Sequence, residues 1–186
     1  MRANNARDTL AFLAEVHPSL HRELRAKLPA EVLDRIDNDA RTAWIPVELD
    51  GHLVDGILDL LGPDGAKSFY RDFLAKSLIQ SPMMRVFFEG ALRAFGVTPG
   101  GLLKVLPGAF KQSYQDSFDL TVTHDRSARQ AHVVLDDIAP ELLRFKGYVA
   151  VWEGVFLGLY DLAHTPPQLE FRVVRELRRV EATFRW

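Results

Sequence analysis

The chain of 186 residues is 47% hydrophobic and 26% charged, with a formal net charge of −2 at pH 7. This length and composition are typical of one globular domain, and the low net charge gives no electrostatic basis for binding nucleic acid. The absence of cysteine excludes disulfides, thiolate metal sites and a cysteine nucleophile. No stretch resembles a secretory signal or is long enough to span a membrane. We therefore predict a cytoplasmic protein with no membrane span and no nucleic-acid partner.

Residues 1–40 carry short amphipathic helical patterns that are separated at Pro18 and Pro29. The corresponding helices either pack on the rest of the chain or form an arm that contacts a partner. We predict a helical extension over residues 1–40 and a single α+β domain over residues 41–186.

The helical pattern becomes stronger from Pro46 onward. Apolar residues follow Pro46 at helical spacing as far as Gly62, and a second amphipathic stripe covers residues 66–78. Ser81 is suited to cap a further helix, which we expect to end at Gly96. This part of the chain is therefore predicted to be helical.

The pattern then changes to the two-residue period of β-strands. Apolar residues alternate with polar ones over 118–122 and again over 131–135, on either side of a polar turn. A register that pairs Phe118 with Leu135 puts both apolar sets on one face of a β-hairpin.

A long helix is predicted from Pro140 to His164, and a second hairpin follows over residues 169–184. The register of this hairpin puts Arg172 opposite Glu181 on the outer face. The two hairpins can join into one four-stranded antiparallel sheet, with the long helix across its apolar face. The predicted fold class is therefore α+β, in which an N-terminal helical block precedes a hairpin, a long helix and a hairpin.

Within the long helix, residues 147–160 include a single charged residue, Glu153. Gly147, Gly154 and Gly158 recur at helical spacing and form a stripe without side chains. Such a stripe predicts that the helix lies unusually close to a neighbouring element.

The apolar neighbours of Glu153 require that its carboxylate finds a partner, reaches water or has a raised pKa. It is either a polar anchor for a ligand or half of an ion pair with the helical block, for which Arg71 and Arg85 are candidate partners. Aromatic residues are abundant around it in the predicted fold, and they form either a core or the wall of a pocket. The candidate ligand-binding residues are Phe69, Phe73, Tyr148, Trp152, Glu153 and Phe156.

No catalytic signature and no metal-binding cluster of histidines occurs in the sequence. We therefore expect a non-enzymatic regulatory or sensory domain that binds a small apolar ligand or a partner protein. The alternative is a homodimeric interaction or scaffold module that has no ligand.

The order of helices, hairpin, helix and hairpin resembles the architecture of haem-nitric-oxide-binding domains and of vinyl-reductase-type small-ligand domains. Four segments are also similar to an uncharacterised paralogous family of myxobacteria, for which no activity is implied. These segments are LLGPDGAKSFYRDF, FGVTPGGLLKVLPGAF, WEGVFLGL and ATFRW.

The resemblance implies that a haem iron would be ligated by a histidine on a helix before the first hairpin. It also implies that the haem propionates would be bound by a Tyr-x-Ser-x-Arg signature. Residues 82–116 contain no histidine, and the signature does not occur in the chain. We therefore predict that the protein takes no cofactor and does not ligate haem in the usual manner.

Overall fold

In a computed structural model, which describes residues 1–78, 98–125 and 127–186, helices precede and separate two β-hairpins. The helices are α1 (Ala3–Val16), α2 (Pro18–Lys27), α3 (Ala30–Asn38), α4 (Val47–Phe73), α5 (Pro99–Leu103), α6 (Leu106–Ser113), α7 (Pro140–Arg144) and α8 (Gly147–Leu162). A π-helical turn, Leu74–Leu78, follows α4. The strands are β1 (Asp119–Asp125), β2 (Gln130–Asp136), β3 (Leu169–Val174) and β4 (Arg179–Arg185). The predicted helix between Ser81 and Gly96 lies outside the described residues.

The two hairpins form one antiparallel sheet with the strand order β1-β2-β4-β3, which confirms the predicted α+β fold. In the second hairpin Arg172 is opposite Glu181, as predicted. In the first hairpin Leu120, rather than Phe118, is opposite Leu135, so the predicted register is wrong by two residues. The apolar side chains still share one face, because a shift of two residues preserves the alternation of a strand.

The turn between β1 and β2 explains this difference. Oδ1 of Asp125 accepts hydrogen bonds from the backbone N–H groups of Ser127, at 2.9 Å, and Ala128, at 3.0 Å. Arg129 then adopts a left-handed conformation with a φ of 48°, and Asp125 pairs with Gln130. The carboxylate thereby organises a turn whose centre lies one residue later than the apolar pattern indicates.

The N-terminal helices contribute to the same hydrophobic core as the rest of the described chain. Leu10 and Leu13 of α1 are buried. The ring of Phe12 lies 5.3 Å from that of Phe69 and 5.7 Å from that of Phe73. Residues 1–40 therefore pack on α4, while the division of the chain at residue 40 stays a prediction.

Helix α8 crosses the apolar face of the sheet. The ring of Phe156 makes edge contacts with Phe171, at 6.2 Å, and with Phe184, at 5.4 Å. The hydroxyl of Tyr160 donates a hydrogen bond of 2.7 Å to the carbonyl of Gln168, at the start of β3. Among the described helices, none has both the length and the apolar character needed to cross a bilayer.

The opposite face of α8 is the predicted glycine stripe, and it lies against the backbone of α4. A Cβ atom on Gly147 would lie 2.4 Å from the carbonyl group of Val54, and one on Gly154 would lie 2.5 Å from the carbonyl oxygen of Lys67. Gly62, with a φ of 69°, interrupts α4 between these two contacts. The predicted close approach is therefore confirmed, with α4 as the neighbouring element.

Candidate ligand-binding cavity

A cavity of about 100 Å³ lies between α1, α4, α6 and α8. Its apolar walls are formed by Val54, Phe73, Leu74, Leu106, Ala109, Phe110, Val151, Val155 and Leu159. Polar side chains that also line it are Asn5, Thr9, Asp50, Tyr70, Ser113 and Tyr114. A mostly apolar cavity with a few polar groups is the usual composition of a small-molecule site.

Asp50 is a buried carboxylate in this cavity, with 4% of its surface exposed. The hydroxyl of Tyr148 on α8 donates a hydrogen bond of 2.6 Å to its Oδ2. Burial raises the pKa of Asp50 to about 6, against the opposing effects of this hydrogen bond and of the charge on the Met1 amino group. The cavity therefore contains a carboxyl group whose pKa lies well above that of an ordinary aspartate.

Tyr70 presents a hydroxyl that has no hydrogen-bond partner among the described residues. The residue lines the cavity and is 3% exposed. Burial raises the pKa of Tyr70 well above its usual value, so the phenol keeps its proton at neutral pH. An unpaired buried polar group costs roughly 1–3 kcal/mol, so this hydroxyl is an unfavourable feature of the described core.

Tyr114 follows α6, the helix that precedes the first hairpin. It also lines the cavity, and burial raises the pKa of its phenol. Its ring lies 6.0 Å from that of Phe110 and 5.5 Å from that of Phe118, which fixes its position between α6 and β1. Tyr114 therefore adds a second phenol to the cavity, from the end of α6.

The structure places the predicted pocket residues in different surroundings. Phe73 lines the cavity, and Tyr148 reaches it through its hydrogen bond to Asp50. Phe69 and Phe156 lie in the core contacts already described, and the ring of Trp152 stacks on that of Tyr148 at 5.8 Å. A role in ligand binding stays a prediction for these residues.

Glu153, the sixth predicted residue, lies at the edge of α8 with 31% of its side chain exposed. Its Oε1 is 3.6 Å from Nζ of Lys67 on α4. Arg71, one predicted partner, instead donates two hydrogen bonds of 2.6 Å to Asp161. The other predicted partner, Arg85, lies outside the described residues. Glu153 therefore reaches water and has a lysine partner.

None of the polar residues that line the cavity, including Asp50, Tyr70 and Tyr114, was among the candidate ligand-binding residues predicted from the sequence. Asp50 could have been recognised from the helical spacing of the sequence. It precedes the apolar residues Leu53, Val54 and Ile57 by three, four and seven residues. That spacing places its carboxylate on the buried face of α4.

No protein-family model and no curated protein matches the chain. Solved structures of H-NOX proteins match it over nearly its full length. An H-NOX variant from K. algicida in the Fe(II) unliganded state shares 9% identity at a TM-score of 0.69, over 100% of this chain and 96% of that one. An H-NOX protein from S. oneidensis in the Fe(II)NO state shares 14% identity at a TM-score of 0.62, over 98% and 97% of the two chains.

An oxygen-binding H-NOX domain related to soluble guanylate cyclases, in its oxygen complex, shares 10% identity with this chain. The TM-score is 0.68, and the match covers 100% of this chain and 94% of that one. The chain therefore has the H-NOX fold, and the resemblance to haem-nitric-oxide-binding domains that the element order indicates is confirmed.

These neighbours contradict the prediction that the protein takes no cofactor. Two of them contain Fe(II), and a third is an oxygen complex. A further neighbour comes from work on haem redox potential and porphyrin distortion. They point to haem as the group that accompanies this fold. The prediction considered only a histidine ligand and the Tyr-x-Ser-x-Arg signature, whereas haem iron also takes other axial ligands, including tyrosine.

The donor groups of the cavity are compatible with an iron porphyrin. The phenols of Tyr70 and Tyr114 line the cavity, and the remaining walls are mainly apolar. Its volume of about 100 Å³ is below the roughly 300–1,000 Å³ of sites for drug-sized molecules. A porphyrin therefore requires the walls to separate, whereas a cavity of roughly 150 Å³ in another protein accepts benzene.

Proposed function

We propose that this chain is a sensory domain that binds a small ligand in the cavity between α1, α4, α6 and α8. The observation that carries the proposal is the combination of apolar walls with the buried polar groups of Asp50 and Tyr70. Apolar surfaces supply affinity in such a site, and the few polar groups fix the orientation of the ligand. The H-NOX neighbours make haem the first ligand to test.

For haem, Tyr114 is the residue that we expect to hold the iron. It lies immediately after α6, before the first hairpin, and its phenol lines the cavity. A bound haem supplies an iron centre at which a diatomic gas can be recognised. The apolar residues of α6 and α8 would contact the macrocycle and exclude water.

The position of α8 supports a sensory role. Val151, Val155 and Leu159 line the cavity, while Phe156 on another face of α8 contacts the sheet. At Gly154 the backbones of α8 and α4 are already in close contact, so α8 cannot move closer to α4. Because packed interiors transmit displacement, a ligand that pushes on α8 would shift it relative to the sheet.

The experiment is to produce the full chain in cells supplied with haem, and to measure its absorption spectrum and its haem content. We expect one haem per chain, with a changed spectrum when CO or NO is added to the reduced protein. Tyr114→Phe should change the spectrum of the bound haem, because it removes the expected iron ligand.

Two alanine substitutions control for nonspecific binding. Ala109→Leu fills the cavity from α6 and should prevent binding, whereas Ala11→Leu lies on the exposed face of α1 and should not. Native mass spectrometry of the same preparations would detect any other bound molecule. A wild-type protein that carries neither haem nor another molecule, and that binds none when they are added, would contradict the proposal.

Three other sequence-based expectations stay predictions: a cytoplasmic location, a homodimer or protein partner, and the absence of a nucleic-acid partner. Among the described residues, the large hydrophobic side chains that are exposed are Trp44 and Leu177. Light scattering at high concentration would test the homodimer.

A further inference from the structure

We infer that strand β3 is an interface at which two copies of this chain pair edge to edge, so that their two sheets become one. The strand lies at the edge of the sheet, with β4 as its only neighbouring strand in the described part of the chain. The second copy of β3 would lie antiparallel to the first, related to it by a twofold axis. This interface is separate from the ligand cavity, which the residues of β3 do not line.

Strand β3 lacks the features that usually prevent an edge strand from pairing with another chain. Such strands commonly contain proline or lysine, or a β-bulge. The segment Leu169–Val174 contains neither residue type, and it pairs with β4 residue by residue without a bulge. The side of β3 that faces away from β4 is therefore a regular row of backbone donors and acceptors.

The hydrogen bonds to β4 determine which registers are possible. The N–H of Arg185 donates to the carbonyl of Gln168 at 3.1 Å, so Gln168 and every second residue after it bond toward β4. Leu169, Phe171 and Val173 therefore direct their N–H and C=O groups away from β4. A second β3 strand can hydrogen-bond to this edge only when odd-numbered residues are opposite odd-numbered residues.

The charges of Glu170 and Arg172 select one of these registers. Both side chains lie on the outer face and are 67% and 70% exposed. Pairing Phe171 with its own counterpart puts each Glu170 opposite an Arg172 of the other copy, which stabilises a strand pair. The next possible register on one side puts Glu170 opposite Glu170, and the next on the other side puts Arg172 opposite Arg172. Like charges in these positions are unfavourable.

The selected register also buries apolar surface that one copy leaves partly exposed. Leu169, Phe171 and Val173 are half-buried, whereas their neighbours on β4 are buried. Phe171 would lie opposite its counterpart, and Leu169 opposite Val173 of the second copy. Because the contact is confined to one short strand of each copy, we expect a weak dimer that forms at high concentration.

The other edge of the sheet, β1, lacks this complementarity. It begins with Asp119 and ends with Asp125. Antiparallel pairing of two full-length β1 strands would put these acids opposite each other, which is unfavourable. Of the two edges, β3 is therefore the one suited to a second copy.

The test is analytical ultracentrifugation of the full chain from micromolar to millimolar concentration. We expect a reversible equilibrium between monomer and dimer in the wild type. Glu170→Arg and Arg172→Glu should each raise the Kd by roughly tenfold or more, since two like-charged pairs replace two opposite ones. Glu15→Arg, at an exposed position of α1, makes the same change in net charge and should leave the dimer unchanged.

A mixture of Glu170→Arg and Arg172→Glu tests the register directly. One copy then has two basic residues at these positions and the other has two acidic ones, so both cross-strand pairs are again complementary. We expect a heterodimer, although each variant alone dimerises poorly. Ion pairs within each copy, from Arg172 to Glu181 and from Arg185 to Glu170, stay broken in the mixture, so their loss cannot explain this recovery.

A further measurement needs no substitution. Amide hydrogen exchange at Leu169, Phe171 and Val173 in the wild type should slow as the concentration rises. A wild type that stays monomeric at millimolar concentration would overturn the inference, as would a dimer that both charge reversals leave intact or a mixture that does not recover. None of these results affects the proposed function, which depends on haem binding by the same preparations.

Discussion

The hydroxyl of Tyr148 on α8 donates a hydrogen bond of 2.6 Å to the carboxylate of Asp50 on α4, inside the hydrophobic core. This contact joins the two helices at the point where the glycine stripe brings them together. It also places an ionisable group where its protonation affects both folding and the cavity.

Asp50 should make the protein less stable as the pH rises from about 4 to about 6. Burial raises its pKa from the ordinary 3.8 to about 6 in the folded state, so the folded protein holds a proton that the unfolded chain has released. The stabilisation by neutral Asp50 is fully present below pH 3.8 and is lost as the pH rises through 6. The difference of about two pKa units corresponds to roughly 3 kcal/mol.

The measurement is urea unfolding between pH 4 and pH 7.5 for the wild type and Asp50→Asn. The asparagine has no charged form, so its free energy of unfolding should lack this decrease. The nearby phenols of Tyr70, Tyr114 and Tyr148 keep their protons over this pH range, because burial raises their pKa values. The Met1 amino group interacts with the charge of Asp50, so the comparison measures the two groups together. The same pH dependence in both proteins would show that Asp50 is not the group responsible.

The contact between α8 and α4 should not tolerate a methyl group. Gly154→Ala would place a Cβ atom 2.5 Å from the carbonyl oxygen of Lys67, which is backbone and cannot move aside without shifting α4. We expect a loss of more than about 2 kcal/mol in the free energy of unfolding, in the range of overpacked cores. Gly65→Ala is the control, since its closest contact is Leu61 of its own helix; it should change stability by less than about 1 kcal/mol. Similar losses in the two variants would argue against the close approach.

Glu153 should contribute little to stability. Its side chain is 31% exposed, and its carboxylate is 3.6 Å from Lys67, so water screens the pair. Glu153→Gln should lower the free energy of unfolding by less than about 1 kcal/mol and leave haem binding unchanged. A double-mutant cycle with Lys67→Met measures the coupling directly. A much larger loss, or a loss of ligand binding, would restore Glu153 as a candidate anchor.

The fold could be predicted largely because its signals are local in the sequence. In any helix, glycines at the spacing of Gly147, Gly154 and Gly158 leave one face without side chains. The close approach of α8 to a neighbouring element could therefore be inferred without knowing which element it is. The register of the first hairpin could not be inferred in this way. It depends on hydrogen bonds from the backbone to Asp125, and the apolar alternation is satisfied equally well by either register.

The cavity was harder to predict, because it depends on which residues meet across helices. The aromatic stripe of α4 contains both Phe69 and Phe73, and both contact Phe12, but only the structure shows that Phe73 also lines the cavity. Asp50 was a recognisable candidate by its spacing. Tyr114 was not, because it lies beyond the end of a short helix, where helical periodicity gives no information about direction.

Two Tyr→Phe substitutions should differ in their effect on stability, because only one of the two hydroxyls has hydrogen-bond partners among the described residues. Tyr70→Phe removes a buried hydroxyl that has no partner among the described residues, so the free energy of unfolding should stay the same or rise by about 1 kcal/mol. Tyr160→Phe removes a hydroxyl that donates to the carbonyl of Gln168 and accepts from the backbone N–H of Arg185. The N–H of Arg185 and the carbonyl of Gln168 would keep the hydrogen bond of 3.1 Å between them, so the loss of the hydroxyl should lower the free energy of unfolding by roughly 0.5–1.5 kcal/mol. Urea unfolding of the two variants at one pH compares them directly, and a destabilised Tyr70→Phe would mean that its hydroxyl is already satisfied without a ligand.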